Sequence, residues 1–198
     1  MLASDFATLS ELVRAQAAER GAKTALVFGD QSLSYTQLDR GMDRVAAALQ
    51  RDGVGRGQAV AIVASTSLDY AVVFLGAVRA GCAAAPLAPS ATPEQLAAMV
   101  VDCGAPILFH DAAHAGIETG ARKVALDAPE FAAWLAPEGT APRPVILGPD
   151  DPFNIIYSSG TTGTPKGIVQ PHAMRWAHIS RAPANFGDAV TMIATPLY

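Results

Sequence analysis

Residues 59–109 carry an alternation of apolar signals that few folds can accommodate. Ala59–Ala64 is apolar at every position, so it reads as a strand buried on both faces. Ser67–Ala80 reads as a helix stopped by Gly81, and Ala83–Leu87 as a second buried strand. Thr92-Pro93-Glu94-Gln95 is a capping box with proline at the first helical position; the helix it opens runs to about Cys103 and stops at Gly104. Pro106–Phe109 is a third strand. A β-α-β-α-β run of this kind predicts the α/β class: a largely parallel β-sheet covered by helices on both faces, with right-handed crossovers.

The residues before this unit extend it. Thr8-Leu9-Ser10-Glu11 is a capping box, Leu9, Leu12 and Val13 follow at helical spacing, and Gly21 is a fitting stop. Thr24–Phe28 reads as a strand that Gly29-Asp30-Gln31 turns into a second, Ser32–Ser34. Ser34-Tyr35-Thr36-Gln37 opens a helix whose inner face is Leu38, Met42, Val45 and Leu49, with Gly53 at its end. Gly53-Val54-Gly55-Arg56-Gly57 is glycine-rich but follows a helix and precedes a strand. A phosphate-binding loop needs the reverse order, so this is read as a turn.

Beyond Asp111 the pattern weakens. His110-Asp111-Ala112-Ala113-His114 only loosely matches a zinc-protease HExxH, because aspartate stands where the glutamate should be; it reads as surface histidines at a strand end. Lys123–Leu126 reads as a short strand and Pro129–Leu135 as a helical turn or two. Pro137, Pro142, Pro144, Pro149 and Pro152 mark an extended connector. Later, His172–Arg181 reads as a helix with Pro171 at its threshold, and Val190–Thr195 as another strand. The chain then stops at Tyr198 with no closing helix or polar tail, and looks cut there.

Composition excludes several classes. The 198 residues suit one large domain or a domain plus a piece, and 51% hydrophobic against 16% charged residues is enough for a globular core. A net charge of −4 with no lysine/arginine block argues against nucleic acid as a partner. No signal peptide and no apolar run long enough to span a bilayer is visible, so a cytoplasmic location without a transmembrane segment is expected. Cys82 and Cys103, 21 residues apart, fit neither a redox pair nor a zinc framework.

Between the apolar runs Phe153–Tyr157 and Ile168-Val169 lies the polar segment Ser158-Ser159-Gly160-Thr161-Thr162-Gly163-Thr164-Pro165-Lys166-Gly167. It holds three glycines, five hydroxyls and one lysine. Glycines let backbone N–H groups face inward, hydroxyls add donors and the lysine adds positive charge, so the segment suits a polyphosphate. It is not a Walker loop. Counting from Gly160, Pro165 replaces the required glycine and Gly167 replaces the hydroxyl that binds Mg²⁺.

From Ile155 to Lys166 the sequence resembles the signature of the adenylate-forming (AMP-binding) enzyme superfamily: acyl-CoA synthetases, aryl-CoA ligases, luciferases and peptide-synthetase adenylation domains. Supporting matches occur in the family's order. They are Ser34-Tyr35-Thr36-Gln37-Leu38, the helix Ser67–Gly81, the turn Ala80–Pro89, and Thr195-Pro196-Leu197-Tyr198. The Ser-Ser-Gly-Thr-Thr-Gly form leans toward acyl- or aryl-CoA ligases, and the acyl-CoA synthetase or fatty-acid–CoA ligase type is expected because a fatty acid is the commonest substrate.

The resemblance implies the N-terminal subdomain of that fold, incomplete. Residues 1–135 would form an α/β unit, 136–152 a Pro-rich connector, and 153–198 the phosphate loop with the following helix and strand; the small C-terminal domain is absent. It implies ATP, Mg²⁺ and coenzyme A as cofactors. A small-molecule carboxylate, with a fatty acid expected, attacks the α-phosphorus to give acyl-AMP and pyrophosphate, and a thiol then takes the acyl group. Aryl, malonyl-type and amino acid substrates remain alternatives, as does a non-catalytic nucleotide- or partner-binding module. Ser158, Ser159, Gly160, Thr161, Thr162, Gly163, Thr164 and Lys166 would hold the β,γ-phosphates. No metal ligand is assigned, and the family's catalytic lysine would lie beyond Tyr198. The 198 residues alone are therefore expected to be inactive and to self-associate through exposed apolar surface. Trp176 and Tyr198 are candidates to line an acyl pocket, and His172 reads as a helix-start residue.

Overall fold

The computed structural model describes residues 5–127, 129–158, 165–181 and 189–193. It opens with helix α1 (Leu9–Arg20), the antiparallel hairpin β1 (Thr24–Phe28) and β2 (Gln31–Ser34), and helix α2 (Tyr35–Arg51). Then follow β3 (Ala59–Val63), α3 (Leu68–Arg79), β4 (Ala83–Pro86), α4 (Pro93–Asp102) and β5 (Ile107–His110). A 3₁₀ turn (Ala112–His114) leads to β6 (Arg122–Ala125) and α5 (Pro129–Trp134). The chain continues through β7 (Pro152–Ser158), β8 (Lys166–Pro171) and α6 (His172–Ser180).

All three capping boxes form: Thr8 with Glu11, Ser34 with Gln37 and Thr92 with Gln95 each exchange both bonds. Gly53, at φ 78°, takes the left-handed turn that closes α2, and its neighbour Val54 N–H reaches back to the Leu49 carbonyl. Gly21 also ends its helix, but at φ −54° it needs no left-handed freedom. It is there for space, since a Cβ would stand 2.3 Å from the Thr36 hydroxyl.

The main sheet has the order β6-β5-β3-β4-β7-β8. Its first five strands run parallel and β8 is antiparallel to β7. From β3 the chain steps to one side for β4 and to the other for β5, so the crossover helices fall on opposite faces. Val60, Ile62, Ile107, Phe109 and Val124 face α2, α3 and α5. Ala59, Ala61, Val63, Ala85 and Leu108 face Leu96, Met99 and Val100 of α4. β3 is buried at all five positions, as its unbroken apolar run requires.

The helix α2–α3 contact rests on two reciprocal notches. Gly41 of α2 receives Val72 of α3, and Gly76 of α3 receives Val45 of α2; a Cβ on Gly76 would lie 2.5 Å from that of Val45. Arg79, with only 5% of its side chain exposed, joins Asp39 (2.6 Å), Asp43 (2.8 Å) and the Ser10 hydroxyl (2.8 Å), tying α3 to α2 and α1. The Pro-rich connector is extended and is bonded to α2 through Arg44–Ala136 and Gln50–Arg143.

Two expectations change. His110 is buried, not a surface histidine, because it is the last residue of a central strand. His114 is half-buried, with Nδ1 at 2.5 Å from Asp111 Oδ1 and Nε2 at 3.2 Å from the Pro89 carbonyl. The strand expected over Val190–Thr195 does not form in its described part. Residues 190–193 are exposed and without regular structure, and an apolar run becomes a strand only beside another strand. Among the described residues no helix is long and apolar enough to cross a membrane.

Candidate phosphate-binding site

The β7–β8 hairpin carries the candidate site. β7 runs parallel to β4, so its carboxyl end opens at the same sheet edge as the ends of β3, β4 and β5. In open α/β sheets that edge is where ligands bind. The last two rungs of the hairpin pair Tyr157 with Gly167 and Ser158 with Lys166. Ser158 and Lys166 are both exposed, and Pro165 is half-buried. The fold thus brings a hydroxyl and an ammonium together at the open end, the pair of groups an anionic phosphate needs. Ser159, Gly160, Thr161, Thr162, Gly163 and Thr164, and also Tyr198, lie outside the described residues.

His172 is not at this end. It starts α6 at the far end of β8, roughly 20 Å from Lys166 at about 3.4 Å per strand residue. There it is buried, its ring edge-on to Phe153 at 5.3 Å, its N–H donating to the Asp151 carbonyl. Burial pushes its pKa below the ordinary value, against the opposing pull of Asp151 and Glu11. Its Nε2 has no hydrogen-bond partner among the described residues. Trp176 is buried on α6, which packs on β7 and β8, away from the hairpin's open end.

The sequence reading missed two groups. The first is a bracket across the sheet's carboxyl edge. Asp111 accepts from the Ser65 N–H (2.7 Å) and hydroxyl (3.1 Å), while His114 reaches from Asp111 to Pro89. Loops that follow β3, β4 and β5 are thereby joined. Burial alone would raise the Asp111 carboxyl, but the bonds from Ser65 and His114 outweigh it and hold it below the usual range. The sequence signal was the polar residue after the first and third of these apolar strands, Ser65 and Asp111; Pro89 contributes only its carbonyl and carried none. The second group is Tyr157 with Asp102. The Tyr157 hydroxyl lies 2.7 Å from the Asp102 carboxylate and 3.0 Å from the Met99 carbonyl, both on α4. Among the described residues no cluster of three or more His, Cys, Asp or Glu side chains could hold a metal ion.

The model of the AMP-binding enzyme family matches residues 13–198. This chain belongs to the AMP-binding enzyme family. Bacitracin synthase 1 of Bacillus licheniformis is 36% identical over 168 residues, 83% of this chain but 3% of that protein. A dimodular nonribosomal peptide synthase of Bacillus subtilis is 35% identical over 174 residues, 84% of this chain and 7% of its own length. The chain therefore spans a small fraction of these curated relatives. Among solved structures, the fatty acid AMP ligase of Legionella pneumophila superposes with a TM-score of 0.69 at 25% identity, covering 83% of this chain and 30% of that one. The expected α/β fold, with its helices on both faces of the sheet, is the fold of this family. What is shown is the family, whose enzymes form adenylates with ATP and Mg²⁺; it does not extend to the acyl-CoA synthetase type.

Proposed function

We propose that these residues form the phosphate-gripping part of an adenylation site, where a carboxylic acid is activated as acyl-AMP and pyrophosphate leaves. The observation that carries this reading is the Ser158–Lys166 rung at the carboxyl edge of the parallel sheet. ATP supplies the phosphoanhydride that activates the acid. Lys166 offers a mobile positive charge against the charge that grows on the departing pyrophosphate, and the Ser158 hydroxyl offers a donor. Ser159, Gly160, Thr161, Thr162, Gly163 and Thr164 are assigned to the same grip on the strength of the signature. The boundaries near residues 135 and 152 are kept as the division between α/β unit, connector and phosphate-binding portion.

For the substrate we favour an amino acid, supported by 35% identity to a nonribosomal peptide synthase. A fatty acid passed to coenzyme A is the second reading. The Ser-Ser-Gly-Thr-Thr-Gly form favours a coenzyme A ligase, acyl or aryl, and the likeness to a fatty acid AMP ligase favours the fatty acid.

Calorimetric titration of the chain with Mg-pyrophosphate tests the grip. Binding is expected, and K166A should weaken it about tenfold, the scale of one charge-assisted bond. Absence of heat from the unaltered chain would overturn the assignment. The acid is read by ATP–pyrophosphate exchange in a chain extended to family length. Exchange with amino acids but not fatty acids supports the first substrate reading, and the reverse supports the second.

A further inference from the structure

The hairpin end is held from one side by a contact with no evident purpose in the α4 helix itself. Asp102 is the last residue of α4, and the last turn of that helix has no basic residue. A carboxylate there faces the negative end of the helix dipole, which disfavours it. The same carboxylate lies 2.7 Å from the Tyr157 hydroxyl. That hydroxyl has one proton and two acceptors in reach; the carboxylate is the closer and the stronger. Tyr157 stands one residue before Ser158, and its cross-strand partner is Gly167, next to Lys166. A Cβ on Gly167 would lie 3.2 Å from Asp102 Oδ2 and 3.2 Å from Tyr157 Cζ. The glycine is what lets the end of α4 settle onto the hairpin. Burial first, and then the Asp102 bond, push the Tyr157 phenol upward, so it stays a donor through neutral pH.

We propose that Asp102, Tyr157 and Gly167 form a clamp that fixes the spacing of Ser158 and Lys166, positioning both ends of the phosphate-binding segment. Asp102 and Tyr157 are positioning residues and touch no substrate. The inference rests on the reading of this hairpin as a phosphate grip, and it adds the element that rigidifies it. α4 also seals one face of the sheet through Leu96, Met99 and Val100, so the clamp anchors the hairpin end to the core.

Two measurements on this chain test the clamp. Amide hydrogen exchange at residues 156–158 and 166–168 should quicken about tenfold in Y157F and D102A, the scale of one lost charge-assisted bond, while β3 and β4 amides keep their rates. D102N keeps an acceptor oxygen and should recover most of the protection. Mg-pyrophosphate affinity should fall in Y157F and D102A alike, about fivefold or more. If Asp102 were only a surface residue, D102A would relieve the dipole conflict, raise the thermal midpoint and leave both readouts unchanged; that outcome overturns the clamp. A uniform rise in exchange across the whole sheet overturns it as well. Y157F retains the ring packing, so the test stands if D102A does not fold. Should the unaltered chain not bind pyrophosphate, the phosphate-grip reading fails, and the exchange rates alone decide the clamp.

Discussion

Arg79 and His172 are buried polar side chains, and each makes a residue-scale prediction. Arg79 is nearly enclosed, with carboxylates of Asp39 and Asp43 on one side and Ser10 on the other. R79M would keep much of the volume but leave Asp39 and Asp43 with the exposed Arg14 as their cationic partner, so chemical denaturation should show a loss of about 1–3 kcal/mol. In sequence Arg79 is one arginine near a helix end, and nothing local marks it as buried. Its role comes from Asp39 and Asp43, which lie one helical turn apart on α2, and both are remote in sequence. His172 is held neutral by burial. Above its ordinary value of 6.5 both folded and unfolded chains leave it unprotonated, and stability does not depend on it. Below 6.5 the unfolded chain takes up a proton that the buried site resists, so stability falls with pH until the folded value is reached. Urea midpoints measured from pH 7 to pH 5 should decline, and H172F should flatten that part of the profile.

At the scale of elements, the sequence was legible wherever a local rule decides the outcome. The three capping boxes and the period of α2 identified their helices because the bonds lie within four residues of one another. The inner face Leu38, Met42, Val45 and Leu49 is buried as expected. Two glycines carried a different message, one that needs the partner helix to be read. Gly41 and Gly76 are helical and at ordinary φ, so no turn explains them; each is a notch for a valine of the other helix. G76A should therefore destabilise by about 1–3 kcal/mol, although alanine is the better helix former. Thermal or urea unfolding checks this, and a gain in stability would mean that α2 and α3 can part without cost. The apolar run at 190–193 shows the opposite failure. Its pattern says strand, but a strand exists only as part of a ladder, and among the described residues no neighbour pairs with it.

At the scale of the whole molecule, three carboxylates staple distant segments. Asp151 is held below the usual range first by the Gly148 N–H and then by Arg56; it ties the end of the connector to the turn before β3. Burial works against Asp52 and Asp111, but Arg51, Trp134 and Arg122 hold the first low, and Ser65 and His114 hold the second. Each contributes stability that is present above the ordinary aspartate value of 3.8 and is lost as pH falls below it toward the folded values. Acid unfolding followed by circular dichroism should therefore steepen below pH 3.8, and D151N should blunt that step. A profile flat to pH 2 would mean that these pairs contribute nothing. The sequence by itself determined the α/β class and the order of strands and helices as far as α6. Periodicity, capping and residue type are written within a few positions of chain. Only the tertiary structure decided that β7 returns beside β4, that Ser158 meets Lys166 at the sheet's carboxyl edge, and that Asp102 of α4 holds Tyr157 beneath them. Those contacts join residues tens of positions apart, and their partners are chosen by packing across the sheet, which no local pattern encodes.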